Sequence, residues 1–108
     1  MSNPLKDMEK PDVIFCIGTN MTECHPVAAT RLKKAIANKA KMIVADPRRI
    51  RLAEMADLYL PIRVGSDVAL LLGIAHVIVR DDLVDKTFID ERTTEAEAFI
   101  AHIKQFTP

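Results

Sequence analysis

Short apolar runs alternate along this chain with segments whose apolar residues recur at helical spacing. Residues 12–17 read DVIFCI, β-branched and aromatic, and are closed by Gly18-Thr19-Asn20, which predicts a strand and its turn. Thr22 or Glu23 then leads to Pro26, a residue suited to the first turn of a helix. Val27, Ala28, Leu32, Ala35 and Ile36 continue a helical pattern to Asn38, with Arg31, Lys33 and Lys34 on its wet face. Residues 41–45 predict a second strand, 50–56 a short helix on which Leu52, Met55 and Ala56 share a side, and 58–62 a third strand. After a turn at 63–66, Asp67 is placed as the N-cap of a helix over 68–79 that is apolar nearly all round and therefore needs cover on more than one side. The tail, 85–106, offers one or two further helices, with Phe88, Ile89, Phe99, Ile100 and Ile103 as packing positions.

A βαβ(α)βα order with near-continuous apolar strands implies an α/β fold: a three-layer, Rossmann-like domain whose mostly parallel sheet carries helices on both faces. The expected organisation is one domain over 1–108, with a βαβ core at 11–80 and a helical segment at 81–108. In open sheets of this kind ligands bind beyond the carboxyl ends of the strands. Three turns, 18–25, 46–49 and 63–67, are expected to converge on that edge.

Composition narrows the partners. The 108 residues carry 15 basic and 15 acidic side chains, and this balance removes the usual electrostatic argument for nucleic acid or an anionic membrane. The longest apolar stretch, 68–79, is interrupted by His76 and is far shorter than the roughly 20 residues a membrane span requires. Residues 1–11 are polar and charged and do not read as a signal peptide, and the two cysteines sit in contexts that suit reduced thiols, so the expected compartment is cytoplasmic. Cys24-His25 lacks the spacing of a structural zinc site, and no metal ligand is assigned. Cys16 reads as a small buried hydrophobe, His76 as a hydrogen-bonded core histidine and His102 as surface.

The chemistry lies in the turns. Gly18 lets backbone approach a ligand closely, the helix start after it offers N–H groups to a phosphate or hydroxyl, and Asn20 and Glu23 add donors and acceptors. Asp46 can accept from paired ribose hydroxyls, Pro47 stiffens the strand exit, and Arg48 can stack on a base or bind phosphate. Gly65 again clears space, while Ser66 and Asp67 can reach the donor edge of a purine, an acid pairing well with the N–H groups of guanine. Taken singly each feature has a plainer meaning: a turn glycine, a strand terminator, a solvated charge run, a helix cap. Their placement at three successive strand ends describes a nucleotide site. The G-x-G-x-x-G fingerprint of a dinucleotide site is absent, since the turn reads GTNMTE and the chain has 3 glycines.

The segments DVIFCIGTNMTECHPV, AKMIVADPRR, ADLYLPIRVGSDVALLLGIAHVIV and FIDERT, in this order and spacing, resemble the molybdopterin oxidoreductase family, and within it the formate dehydrogenase alpha (catalytic) subunits. The resemblance covers essentially the whole chain. It implies a Rossmann-like domain that holds the guanosine diphosphate portion of a molybdenum or tungsten bis(molybdopterin guanine dinucleotide) cofactor. By that resemblance Gly18, Thr19, Asn20, Glu23 and Cys24 lie against the nucleotide, Asp46, Pro47 and Arg48 frame ribose and base, and Gly65, Ser66 and Asp67 read guanine.

Departures from the family pattern matter as much. Family members are several times longer, with a cysteine-rich segment for an iron–sulfur cluster and a metal-ligating cysteine or selenocysteine, neither of which this sequence contains. Met21 stands where proline is frequent. The expectation is an excised domain of a formate-oxidising subunit, inactive alone, holding no catalytic residue and no metal ligand. Its partners would be the remaining domains and electron-transfer subunits, and its own exposed apolar surface would favour self-association. Two other readings stand beside this one: a nucleotide-binding domain of another lineage, such as the middle domain of thiamine-diphosphate enzymes, and a non-catalytic interaction module.

Overall fold

A computed structural model describes residues 3–108. The chain divides into two compact units, one ending at Val64 and the other running from Gly65 to Pro108. In the first, a 3₁₀ turn at Leu5–Glu9 precedes β1 (Val13–Ile17), α1 (Met21–Cys24), α2 (Pro26–Ala37), β2 (Lys41–Asp46), α3 (Arg51–Met55) and β3 (Leu58–Pro61). The second contains α4 (Asp67–Arg80), α5 (Lys86–Arg92) and α6 (Ala96–Ile103). This is the mixed α/β architecture the alternating pattern implied.

The three strands form one parallel sheet in the order β1-β2-β3, with Ile17 opposite Ala45 and Asp46 opposite Pro61. Side chains alternate across a strand, so one face collects Ile14, Cys16, Met42, Val44 and Tyr59. Against it pack Met21 of α1, Leu32 and Ile36 of α2, and Leu52, Ala53 and Met55 of α3. Successive crossovers of one hand that step in one direction along a sheet deliver their helices to the same side, which explains this one-sided core. The opposite face of the unit leaves Val13, Phe15 and Leu58 exposed.

Two local features fix how the crossovers enter and leave the sheet. Helix α2 ends in a Schellman arrangement: Lys39, at φ 72°, donates its N–H to Ile36 O, and Ala40 donates to Ala35 O. At the start of β3, Asp57 donates its N–H to Met42 O at 2.9 Å, and its Oδ2 accepts the Met42 N–H at 2.8 Å. Asp57 therefore pins β3 against β2 before the ladder begins.

Several sequence expectations shift. Val27 is exposed, because the buried stripe of α2 runs through Ala29, Leu32 and Ala35. Lys33 and Lys34 are exposed as expected, while Arg31 is half-buried: it donates to Glu9 of the 3₁₀ turn, and Lys34 lies 3.6 Å from the same carboxylate. Ser66, not Asp67, is the N-cap of α4, and Asp67 occupies the first turn, where its charge suits the positive helix end. In the second unit Ile103 is buried, whereas Phe88 and Phe99 are exposed. His76 of α4 does find its hydrogen bond, Nδ1 lying 3.2 Å from Ile103 O of α6. Helix α5 is capped by Asp85, whose Oδ1 accepts the Phe88 N–H at 3.0 Å. The cover required by an all-apolar helix is not supplied to α4, none of whose residues is buried; Val68, Leu71, Ile74 and Ile78 are exposed. Among the described residues no helix is long and apolar enough to cross a membrane.

The Met42 amide, with the Lys41 ammonium, holds the Asp57 carboxyl below its ordinary value. A carboxyl depressed in the folded state contributes stability that is complete above its unfolded pKa, about 3.9, and is lost as pH falls below that. The thermal midpoint should therefore fall as pH drops below about 4, and less steeply in Asp57→Ala, which starts lower. Parallel pH profiles for the two proteins in a calorimeter would contradict this role. The stripe on α4 carries a second expectation, concentration-dependent self-association, read by light scattering during size exclusion. A monomer mass at every concentration would refute it.

Candidate functional site

The carboxyl ends of β1 and β2 meet in the first unit, and hydrogen bonds at the last two residues of β2 organise both turns that leave them. The Ala45 carbonyl accepts the Gly18 N–H at 3.1 Å, which ties the exit of β1 to β2. At Asp46 the carboxylate Oδ1 accepts the Arg48 N–H at 2.8 Å, folding the 46–48 turn back on its own strand end. The Asp46 carbonyl accepts the Tyr59 hydroxyl from β3 at 3.0 Å. Asp46 is the buried charged residue of the sheet, 7% exposed, while Pro47 and Arg48 are exposed beyond it. Its second carboxylate oxygen gives it an acceptor to offer a ligand hydroxyl.

Gly18 has φ +56°, in the left-handed region that disfavours a side chain, and a Cβ added there would meet nothing within 4 Å. Glycine is thus favoured by backbone conformation, and the space above it is open. Thr19 and Asn20 are half-buried. Asn20 caps the single turn of α1: its carbonyl accepts the N–H groups of Glu23 and Cys24, and its Oδ1 accepts the Thr22 hydroxyl at 3.2 Å. The sequence implied a helix start directly after the turn, its N–H groups facing a phosphate or hydroxyl. The structure instead has the one-turn α1, then His25, then Pro26, which has no N–H to give, at the head of α2. Glu23 and Cys24 are exposed on α1.

Gly65, Ser66 and Asp67 open the second unit, where Gly65 has φ +84° and an added Cβ would likewise meet nothing within 4 Å. The two turns of the first unit are brought together by the Gly18 to Ala45 bond, and these three residues are described within their own unit.

Sequence reasoning missed Tyr59 and the Ala45 carbonyl. The only signal for the first was that the chain's single tyrosine stands in a strand. Beside the strand ends, Thr22, Lys33, Arg51, Glu54 and Met55 line an open cleft of about 220 Å³ between α1, α2 and α3. Its lining carries two cations, Lys33 and Arg51, and one acid, Glu54. Cys16 is buried and its thiol is pushed up by desolvation, whereas Cys24 is exposed; both are free. Among the described residues no three His, Cys, Asp or Glu side chains gather as a metal site would need.

The family profile described as molybdopterin oxidoreductase matches residues 1–105. The chain is 43% identical over 108 residues to the F420-dependent formate dehydrogenase subunit alpha of Methanocaldococcus jannaschii, covering all of this chain and 16% of that protein. It is 37% identical over 108 residues to formate dehydrogenase H of Escherichia coli, covering all of this chain and 15% of that one. A nitrate reductase of Symbiobacterium thermophilum is 40% identical over 114 residues, with 96% of this chain and 15% of the relative covered. Among solved structures, acetylene hydratase from Pelobacter acetylenicus superposes with a TM-score of 0.82 at 31% identity, over 95% of this chain and 16% of that one. The chain thus spans 15–16% of the length of these curated relatives, and by sequence and by fold it belongs to the molybdopterin oxidoreductase family.

Proposed function

We propose that this chain binds the guanosine diphosphate portion of a molybdopterin guanine dinucleotide cofactor, carrying molybdenum or tungsten, within a larger oxidoreductase of formate dehydrogenase type. The observation that carries the reading is the buried Asp46 carboxylate at the end of β2, in a family member, with the open Gly18 turn hydrogen-bonded to the residue before it. The residues fit such a group. A strand-end carboxylate accepts from ribose hydroxyls, an open left-handed glycine admits a diphosphate close to backbone, and an exposed arginine meets a base face or a phosphate.

In this reading Gly18, Thr19 and Asn20 border the diphosphate, with Glu23 and Cys24 beside it. Asp46 holds the ribose, Pro47 limits the turn, and Arg48 closes over the base. Gly65, Ser66 and Asp67 are assigned to the guanine edge from their sequence alone. The bound cofactor would supply two-electron transfer at its metal. This chain contributes binding and orientation, and substrate turnover, an iron–sulfur cluster and electron-transfer partners belong to the rest of a larger protein, which we place in the cytoplasm. The 40% identity to a nitrate reductase supports a second substrate assignment, nitrate reduction, for which the same nucleotide site serves unchanged. Family membership sets aside the thiamine-diphosphate lineage.

Calorimetric titration of the chain with GDP and with ADP tests the reading. GDP should bind, even if only at millimolar affinity, about −4 kcal/mol, with ADP weaker and Asp46→Ala abolishing the heat. A preference for ADP, or GDP binding untouched by Asp46→Ala, would overturn it. Binding of neither would remove the chain as a nucleotide holder in its own right.

A further inference from the structure

We infer that Tyr59 is a positioning residue for the nucleotide site: its hydroxyl, held on β3, fixes the conformation of the 46–48 turn through the Asp46 carbonyl. The inference rests on the proposed reading only for the ligand, and the turn itself can be tested without one. Tyr59 lies opposite Val44 in the parallel ladder, two residues before the strand end, and its ring packs against the core cluster while its hydroxyl reaches forward to Asp46 O at 3.0 Å. A ring seated in a core has few rotamers, so it delivers its donor to one place. Asp46 is thereby held twice: at its carbonyl by Tyr59, and at its carboxylate Oδ1 by the Arg48 N–H at 2.8 Å.

The two bonds act on the two consecutive peptide units that follow Asp46. The Tyr59 hydroxyl fixes the Asp46 carbonyl, which sets the plane of the peptide leading into Pro47. The ring of Pro47 fixes its own φ, so little freedom remains before the Arg48 N–H. With that N–H on Oδ1, the carboxylate is oriented, and its other oxygen is presented in a fixed direction at the strand end. Loss of the hydroxyl releases the first constraint and leaves the apolar packing of the ring in place. The side chain that touches the nucleotide is Asp46, and Tyr59 acts through it.

The test uses the ¹⁵N-labelled chain and Tyr59→Phe, which keeps the ring. Hydrogen exchange at the Arg48 amide should quicken by about three- to tenfold, the equivalent of one ordinary hydrogen bond, while exchange at Met42 and Val44 in the middle of β2 stays close to wild type. GDP affinity should weaken by a similar factor. Unchanged exchange at Arg48, or exchange quickened equally throughout β2, would overturn the inference, as would GDP affinity identical in the two proteins. Failure of the wild type to bind GDP would count against the nucleotide reading alone, because exchange at Arg48 still decides the role of the hydroxyl. Should Tyr59→Phe not fold, a ring-fluorinated tyrosine serves instead, since Tyr59 is the chain's single tyrosine. The Arg48 amide resonance must then shift along the ionisation curve of that phenol, and a resonance that ignores it would refute the coupling.

Discussion

The end of β2 is the constraint on which the proposed nucleotide site depends. Parallel pairing leaves the last carbonyls and the last side chain of a central strand facing the sheet edge, where no further strand residue competes for them. Here Ala45 uses its carbonyl to hold the Gly18 turn, and Asp46 uses its carbonyl and one carboxylate oxygen to hold Tyr59 and Arg48. Burial sharpens the arrangement, since a carboxylate removed from water needs hydrogen-bond donors, and a nearby backbone N–H supplies one without a counter-charge. The acid that ends the MIVAD segment thus shapes its own turn first, and in the proposed site its remaining acceptor serves a ligand second.

Much of this was legible in the chain. The strands declared themselves because Ile14, Cys16, Met42 and Val44 lie in apolar runs of strand length, and the turns because Gly18, Asp46-Pro47 and Gly65 interrupt them. What escaped was whatever period cannot carry. Four residues, Met21 to Cys24, show no helical repeat, so α1 read as part of a turn. The 3₁₀ turn at Leu5–Glu9 has no buried residue to mark it, and the pairing of Glu9 with Arg31 depends on a fold-back that spacing along α2 does not encode. Val27 looked as apolar as Leu32, yet the small Ala29 and Ala35 decide which stripe of α2 approaches the sheet. The hydroxyl of Tyr59 had no readable partner until strand register placed it two residues short of Asp46.

The second unit shows a different relation between sequence and structure. Helix α4 is apolar round its circumference, yet none of its residues is buried, and its hydrogen bond through His76 to α6 organises only one side. Apolar composition states that a surface must be covered and is silent on what covers it. The relatives matched here are about six times longer than this chain, from the 15–16% of their length that it spans, and domains of a longer protein are one source of such cover.

The most direct test of the central claim is to follow backbone amide resonances of the labelled chain as GDP is added. Shifts confined to Gly18, Asn20, Asp46 and Arg48 in the first unit are what a site built on the end of β2 requires. Shifts among α4, α5 and α6 with Gly18 and Arg48 unmoved would place nucleotide elsewhere and contradict the account.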